Sequence, residues 1–296
     1  MTNIIAFSGR KQSGKNTVFN FLLGLELLKL GVVRKAVEVR PEGLFISDVL
    51  GNADYEGLFD IDRNNDTTRQ FNEEFIYPFI RNYSFADCLK TDVCINLLGL
   101  THDQCYGTDE QKNSITHLMW EDMPGVLPQA PPKMKQAQIP FWGRMGKYYD
   151  TYMVEGKYFI VHEPGPMTAR EVMQYVGTDL FRRMYDKVWS AGTINRIKDY
   201  ATKLAIITDC RFVNEVKATQ EAGGKVIRFT RNGDDADAHE SERALDRDRF
   251  DWNKFDAVVD NAEMTISEQN EATYKVLEGW GYVDQIGNAS LTEAVS

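Results

Sequence analysis

Along the chain, short apolar runs alternate with longer stretches whose apolar residues recur at helical spacing. The run Ile4-Ile5-Ala6-Phe7 predicts a strand, and Val18, Phe21, Leu22, Leu25 and Leu28 predict a helix directly after it. Val32 to Val39 reads as a second strand, turning at Pro41-Glu42-Gly43. Residues 51–75 are rich in Asn and Asp and read as an insertion or loop. Tyr83-Ser84-Phe85-Ala86 predicts a short strand ending at Asp87. The helix after it points Leu89, Val93, Leu97 and Leu98 inward and stops at Gly99.

The later part of the chain repeats this alternation. Five prolines between Pro124 and Pro140 exclude a long helix there. Residues 147–154 and 157–161 flank Glu155-Gly156 as the arms of a hairpin. Thr168-Ala169-Arg170-Glu171 has capping-box spacing and opens a helix. A second helix is expected to turn Leu180, Met184, Val188 and Trp189 inward. Leu204 to Asp209 is a strand, and the helix after it carries Phe212, Val213, Val216 and Thr219 inward and closes at Gly223-Gly224. Residues 225–230 and 256–260 are further strands, and a last helix starts near Thr265.

Strands alternating with helices predict an α/β fold with a doubly wound parallel sheet and helices on both faces. The expected organisation is one domain over residues 1–284, with insertions at about 51–80 and 114–165 and a flexible tail at 285–296.

The 296 residues are 43% hydrophobic and 26% charged, enough to bury a substantial core. A net charge of −10 argues against a protein whose main task is gripping a nucleic acid. It leaves room for a small phosphorylated ligand held by a local cluster of Arg and Lys. The N-terminus runs straight into the first strand and no apolar run approaches a membrane span, so a cytoplasmic protein without a leader is expected. Cys88, Cys94, Cys105 and Cys210 lack metal-ligand spacing and read as reduced thiols.

The strand at Ile4 breaks at Gly9, and five residues later Gly14-Lys15 opens the first helix. Gly9 to Lys15 matches G-x-x-x-x-G-K, in which backbone N–H groups and a helix N-terminus cradle phosphates and the lysine reaches the β and γ groups. The hydroxyl usual after the lysine is displaced by one position, with Asn16 followed by Thr17. Monophosphate kinases tolerate that shift. Asp209, at the end of an apolar strand, stands where such proteins aim a carboxylate at hydrated Mg²⁺. Asp87 and Lys90 lie one turn apart just beyond a strand end and read either as a surface ion pair or as ligand-facing charges. Trp142, Arg144 and Lys147 offer an aromatic surface beside positive charge, either a base platform or an insertion's own core. His239 reads as a loop hydrogen-bonder.

Several segments in order resemble the bacteriophage deoxynucleoside monophosphate kinases. They are Phe7-Ser8-Gly9 through Gly14-Lys15-Asn16-Thr17, Phe85-Ala86-Asp87-Cys88-Leu89-Lys90, and Arg170 through Gly177-Thr178-Asp179. Then come Ile207-Thr208-Asp209-Cys210-Arg211-Phe212-Val213-Asn214-Glu215, Gly223 through Ile227, and His239-Glu240-Ser241-Glu242. The resemblance covers a little over half of the chain and neither insertion.

It implies a P-loop kinase fold and transfer of the γ-phosphate of ATP to the 5′-phosphate of a deoxynucleotide in the cytoplasm of an infected bacterium. On that reading Gly9, Lys11, Ser13, Gly14, Lys15, Asn16 and Thr17 bind ATP, and Thr17 and Asp209 serve Mg²⁺. Lys15, Arg170 and Arg211 are catalytic. Asp87, Lys90, Arg170, Gln174, Thr178 and Asp179 bind the acceptor, with Gln174 toward the base. Arg182 and Arg183 are secondary candidates. Partners are small nucleotides, and homodimerisation stays open. The alternatives are kinases of the phosphomevalonate or dephospho-coenzyme-A type, a P-loop protein acting on modified bases in DNA, and a non-catalytic nucleotide binder.

Overall fold

A computed structural model describes residues 2–63, 65–129, 135–136, 150–154, 157–231 and 243–282. The expected tail, His239, and Trp142 with Arg144 and Lys147 lie outside these residues. The described residues divide into two compact units, one made of those up to residue 84 together with 193–231 and 243–282, the other of those between 85 and 192.

The first unit is built on a five-stranded parallel sheet. Its first strand, β1 (Asn3–Ser8), lies between Leu204–Cys210 on one side and Lys225–Phe229 on the other. The strand Ile80–Tyr83 flanks Leu204–Cys210, and Ala257–Val259 closes the opposite edge. Central strands buried on both faces need continuous apolar runs, which is what Ile4 to Phe7 and Leu204 to Ile207 supply. Helix α1 (Lys15–Lys29) and the helix Ile266–Gly279 pack with the sheet into one core containing Ile5, Phe7, Leu22, Ile206, Ile227 and Leu277.

The segment read as an insertion or loop over 51–75 carries a strand and a helix. Strands β2 (Val33–Arg40), β3 (Gly43–Val49) and β4 (Asn52–Phe59) form an antiparallel meander. Leu50 and Gly51, both at positive φ, make the two-residue turn between β3 and β4. The acidic composition of β4 concealed a strand whose side chains face mostly water. A helix Asp66–Phe71 follows, capped by the Asn65 side chain, which accepts from Thr68 N–H at 2.8 Å. The meander buries Val37, Leu44 and Ile46 in the same core as α1.

The second unit has its own core, centred on Trp120, Met167, Val172 and Tyr175. The hairpin Asp150–Val154 with Lys157–Val161 forms as expected and continues into a four-stranded sheet with Val126–Leu127 and Lys135–Gln136. The capping box at Thr168 is present, with Thr168 Oγ1 accepting from Glu171 N–H and the Glu171 carboxylate accepting from Thr168 N–H. Two segments, Cys88–Leu97 and Tyr175–Arg182, are wound as wide π-type turns. There the 3.6-residue period fails. Leu97, expected inward, is 75% exposed. Met184, also expected inward, falls between Tyr175–Arg182 and the separate helix Val188–Tyr200 and is 75% exposed. The strand expected at 83–86 lies earlier, at Ile80–Tyr83. All four cysteines are free thiols. No helix among the described residues is long and apolar enough to cross a membrane.

Candidate functional site

The loop joining β1 to α1 leaves the C-terminal end of the middle strand of the sheet. The chain goes from it to Ile80–Tyr83 on one side, and the connection leaving Leu204–Cys210 crosses to Lys225–Phe229 on the other, the switch point at which open α/β sheets bind ligands. Gly14 stands immediately before α1 with φ of 88° and ψ of 9°, a left-handed conformation natural to glycine. A Cβ there would lie 2.3–2.7 Å from the amide of Gln269. The Lys15 ammonium folds back over the loop, donating to Gly9 O at 2.8 Å, Arg10 O at 2.6 Å and Ser13 Oγ at 3.2 Å. Lys11 and Asn16 are exposed, and Thr17 is half-buried on the first turn of α1.

A buried charge cluster shares this unit. Arg10, Arg228 and Asp246 are all under 8% exposed. Arg10 reaches Asp246 at 2.6 Å and Arg228 reaches it at 3.5 Å, while Arg228 also donates to Ser8 Oγ at 3.1 Å. Two guanidiniums thus share one carboxylate beside the start of the loop. Burial of such charges is tolerated because each is paired.

The neighbouring strand brings in Asp209. Ser8 stands opposite Cys210, so Asp209 and the loop leave adjacent strands at one edge of the sheet. Ser84 Oγ donates to Asp209 Oδ2 at 2.5 Å. Arg211 follows, its N–H held by the buried carboxylate of Glu215 at 2.7 Å. Burial drives the Cys210 thiol far above its ordinary pKa, with the negative Glu215 and Asp209 adding to the effect.

The other sequence candidates gather in the second unit. Tyr106 donates to Asp87 Oδ1 at 2.9 Å, and Lys90 Nζ lies 4.5 Å from the centre of the Tyr106 ring. Asp87 and Lys90 are thus joined through Tyr106. Burial, then the nearby Asp87 charge, raises the Tyr106 pKa and keeps the phenol a donor. Arg170 donates to Asn113 Oδ1 at 2.9 Å and Asp109 Oδ1 at 2.8 Å. Gln174 Oε1 is buried without a hydrogen-bond partner. Thr178 and Asp179 are buried. Gly177 explains why this stretch packs tightly against the first: a Cβ there would sit 2.6 Å from Leu89 Cδ2. Leu89 and Gly177 therefore bring the segment containing Asp87 and Lys90 against the segment containing Gln174, Thr178 and Asp179.

Residues missed by sequence reasoning include Asn261, Gln269, Ser84, Glu215 and Tyr106. Among them only Glu215 carried a local signal, being placed to cap its own helix three residues after Phe212. Among the described residues no three His, Cys, Asp or Glu side chains converge as metal ligands.

The model of the deoxynucleotide monophosphate kinase family matches residues 82–268, more than half of the chain. The match takes in the segments with Asp87, Arg170 and Asp209 and starts after the Gly9–Thr17 loop. No curated protein matches the chain. The chain belongs to the deoxynucleotide monophosphate kinase family, and it is a phosphotransferase acting on small nucleotide substrates.

Proposed function

We propose that this kinase is a P-loop enzyme that moves the γ-phosphoryl group of ATP onto the 5′-phosphate of a deoxynucleoside monophosphate. The observation that carries the reading is the loop's position. It leaves the middle strand of a parallel sheet at the switch point and enters the N-terminus of a 15-residue helix, with Lys15 turned over its carbonyls. A helix N-terminus with convergent N–H groups is an anion site. Lys15 exchanges its carbonyl acceptors for the β and γ phosphates when ATP enters.

An acceptor phosphate oxygen attacks the γ-phosphorus, a new P–O bond forms, and the bond to the β–γ bridging oxygen breaks, releasing ADP. The acceptor's second pKa is about 6, so it is already mostly the dianion at neutral pH and needs no general base. The protein's work is positioning and neutralisation of charge. Arg211 and Arg170 serve the transferring and acceptor phosphates, and Asp87, Lys90, Thr178 and Asp179 build the acceptor site. The buried, unpartnered Gln174 Oε1 is an acceptor suited to a base N–H.

The Thr17 hydroxyl and the Asp209 carboxylate are hard oxygen donors, and Ser84 fixes one oxygen of that carboxylate. Together they would hold a Mg²⁺ beside the nucleotide phosphates, and the ion would neutralise developing charge. Coupled measurement of ADP release with each deoxynucleoside monophosphate tests the function. Lys15→Ala should abolish turnover with all of them, and full activity in that variant would remove the loop from the mechanism.

A further inference from the structure

We infer that Asn261 and Gln269 are positioning residues that aim the donors of the phosphate loop, an inference that rests on the P-loop reading above. Both side chains are fully buried. Asn261 Nδ2 donates to Ser13 O at 2.9 Å, across 248 residues of sequence, and to Gln269 Oε1 at 2.5 Å. Gln269 Nε2 donates to Gly14 O at 3.1 Å. Two consecutive loop carbonyls are thus held by one amide pair.

A trans peptide unit points its C=O and its N–H in opposite directions. Fixing Ser13 O turns the Gly14 N–H away from Asn261, and fixing Gly14 O turns the Lys15 N–H away from Gln269. These are the two N–H groups at the entrance of α1, where an anion is received. The amide pair sets their direction without touching the ligand.

Asn261 is anchored in turn. Its Oδ1 accepts from the N–H of Thr230 at 3.1 Å and of Arg231 at 2.8 Å, where the strand Lys225–Phe229 ends. Arg231 Nε donates to Asn261 O at 3.1 Å, and its guanidinium also bonds Met264 O. The loop is therefore tied through two amides to the end of a neighbouring strand and to the helix Ile266–Gly279. Every polar atom of the Asn261 side chain has a partner, and its orientation is set because only the NH₂ end can face the carbonyl of Ser13.

The test uses near-isosteric variants of the full chain. Asn261→Asp replaces the donor to Ser13 O by an acceptor, and Gln269→Leu deletes the donor to Gly14 O while filling the same space. KM for ATP should rise by about tenfold or more. KM for the deoxynucleotide should stay within about twofold, turnover at saturating ATP should fall less than KM rises, and stabilisation of the fold by ATP should shrink in step. If Asn261→Asp does not fold, Gln269→Leu carries the measurement. A folded variant with unchanged KM for ATP, or one in which both KM values and turnover worsen together, overturns the inference. Lys15→Ala is run alongside. Loss of ATP binding there with wild-type affinity in the amide variants refutes this inference alone, whereas retained binding and turnover in Lys15→Ala refutes the loop assignment itself.

Discussion

The carboxylate of Glu215 holds the backbone of Arg211, accepting its N–H at 2.7 Å and the N–H of Phe212 at 3.0 Å. Both donors belong to the entrance of the helix Val213–Glu221, and the carboxylate is 3% exposed. Glu215→Ala strands these donors and should destabilise the fold by about 1–3 kcal/mol. Glu215→Gln keeps an acceptor oxygen in place and should lose less. Urea denaturation of the two variants measures the difference. Arg211→Ala should lower turnover by ~10³, the scale of a transition-state arginine, which steady-state kinetics measures.

Gly14 and Gln269 make a second pair. Gly14→Ala meets both a left-handed backbone, costing about 1–2 kcal/mol, and the Gln269 amide. Repeating the substitution in a Gln269→Ala background should recover the steric part and leave the backbone part. A double-mutant cycle on unfolding free energies reads the coupling directly.

Glu26 is buried in α1, and desolvation raises its pKa, with Lys29 and Lys203 partly opposing. Its folded pKa lies above the unfolded one, so the folded state binds the proton more tightly. Glu26 is therefore least costly below its unfolded pKa, and stability is lost as pH rises through the folded value. Glu26→Gln should be more stable than wild type near neutral pH, and its advantage should disappear in acid. Thermal unfolding over a pH series checks the sign.

Arg170 leans on two exposed partners, Asn113 and Asp109. Exposed ion pairs contribute at most about 1 kcal/mol, so Asp109→Ala should barely change stability. Arg170→Ala should instead reduce turnover or acceptor affinity. Steady-state kinetics with varied deoxynucleotide separates the two effects, and an Arg170→Ala enzyme unchanged in both would exclude Arg170 from the site.

The parts of the fold that were legible are those where one local rule dominates. The apolar runs at Ile4 and Leu204 announce strands buried on both faces, and Thr168 with Glu171 announces a helix start. Leu97 misled because a helical period was applied to a segment wound more widely than 3.6 residues per turn, as in the bond from Leu98 N–H to Val93 O. Met184 misled because it falls between Tyr175–Arg182 and the separate helix Val188–Tyr200 rather than within one continuous helix. β4 was hidden because its acidic residues face water and mimic a loop. Within the candidate site, Lys15 and Gly14 were visible from spacing. Asn261, Ser84 and Tyr106 were not, because each acquires its role from a partner distant in sequence or across a turn, and a single polar residue has no period to betray it.

The pairing of β1 has a consequence for synthesis on the ribosome. Asn3 pairs with Leu204 and Ile5 with Lys225, so both neighbours of the first strand are translated some 200 residues after it. At ~5–20 residues per second that interval is roughly 10–40 s. Throughout it an apolar strand and the lysine loop behind it have emerged with no sheet to join. The meander β2 to β4 and helix α1 are complete much earlier and can shield that strand, but closing the sheet waits for the last third of the chain.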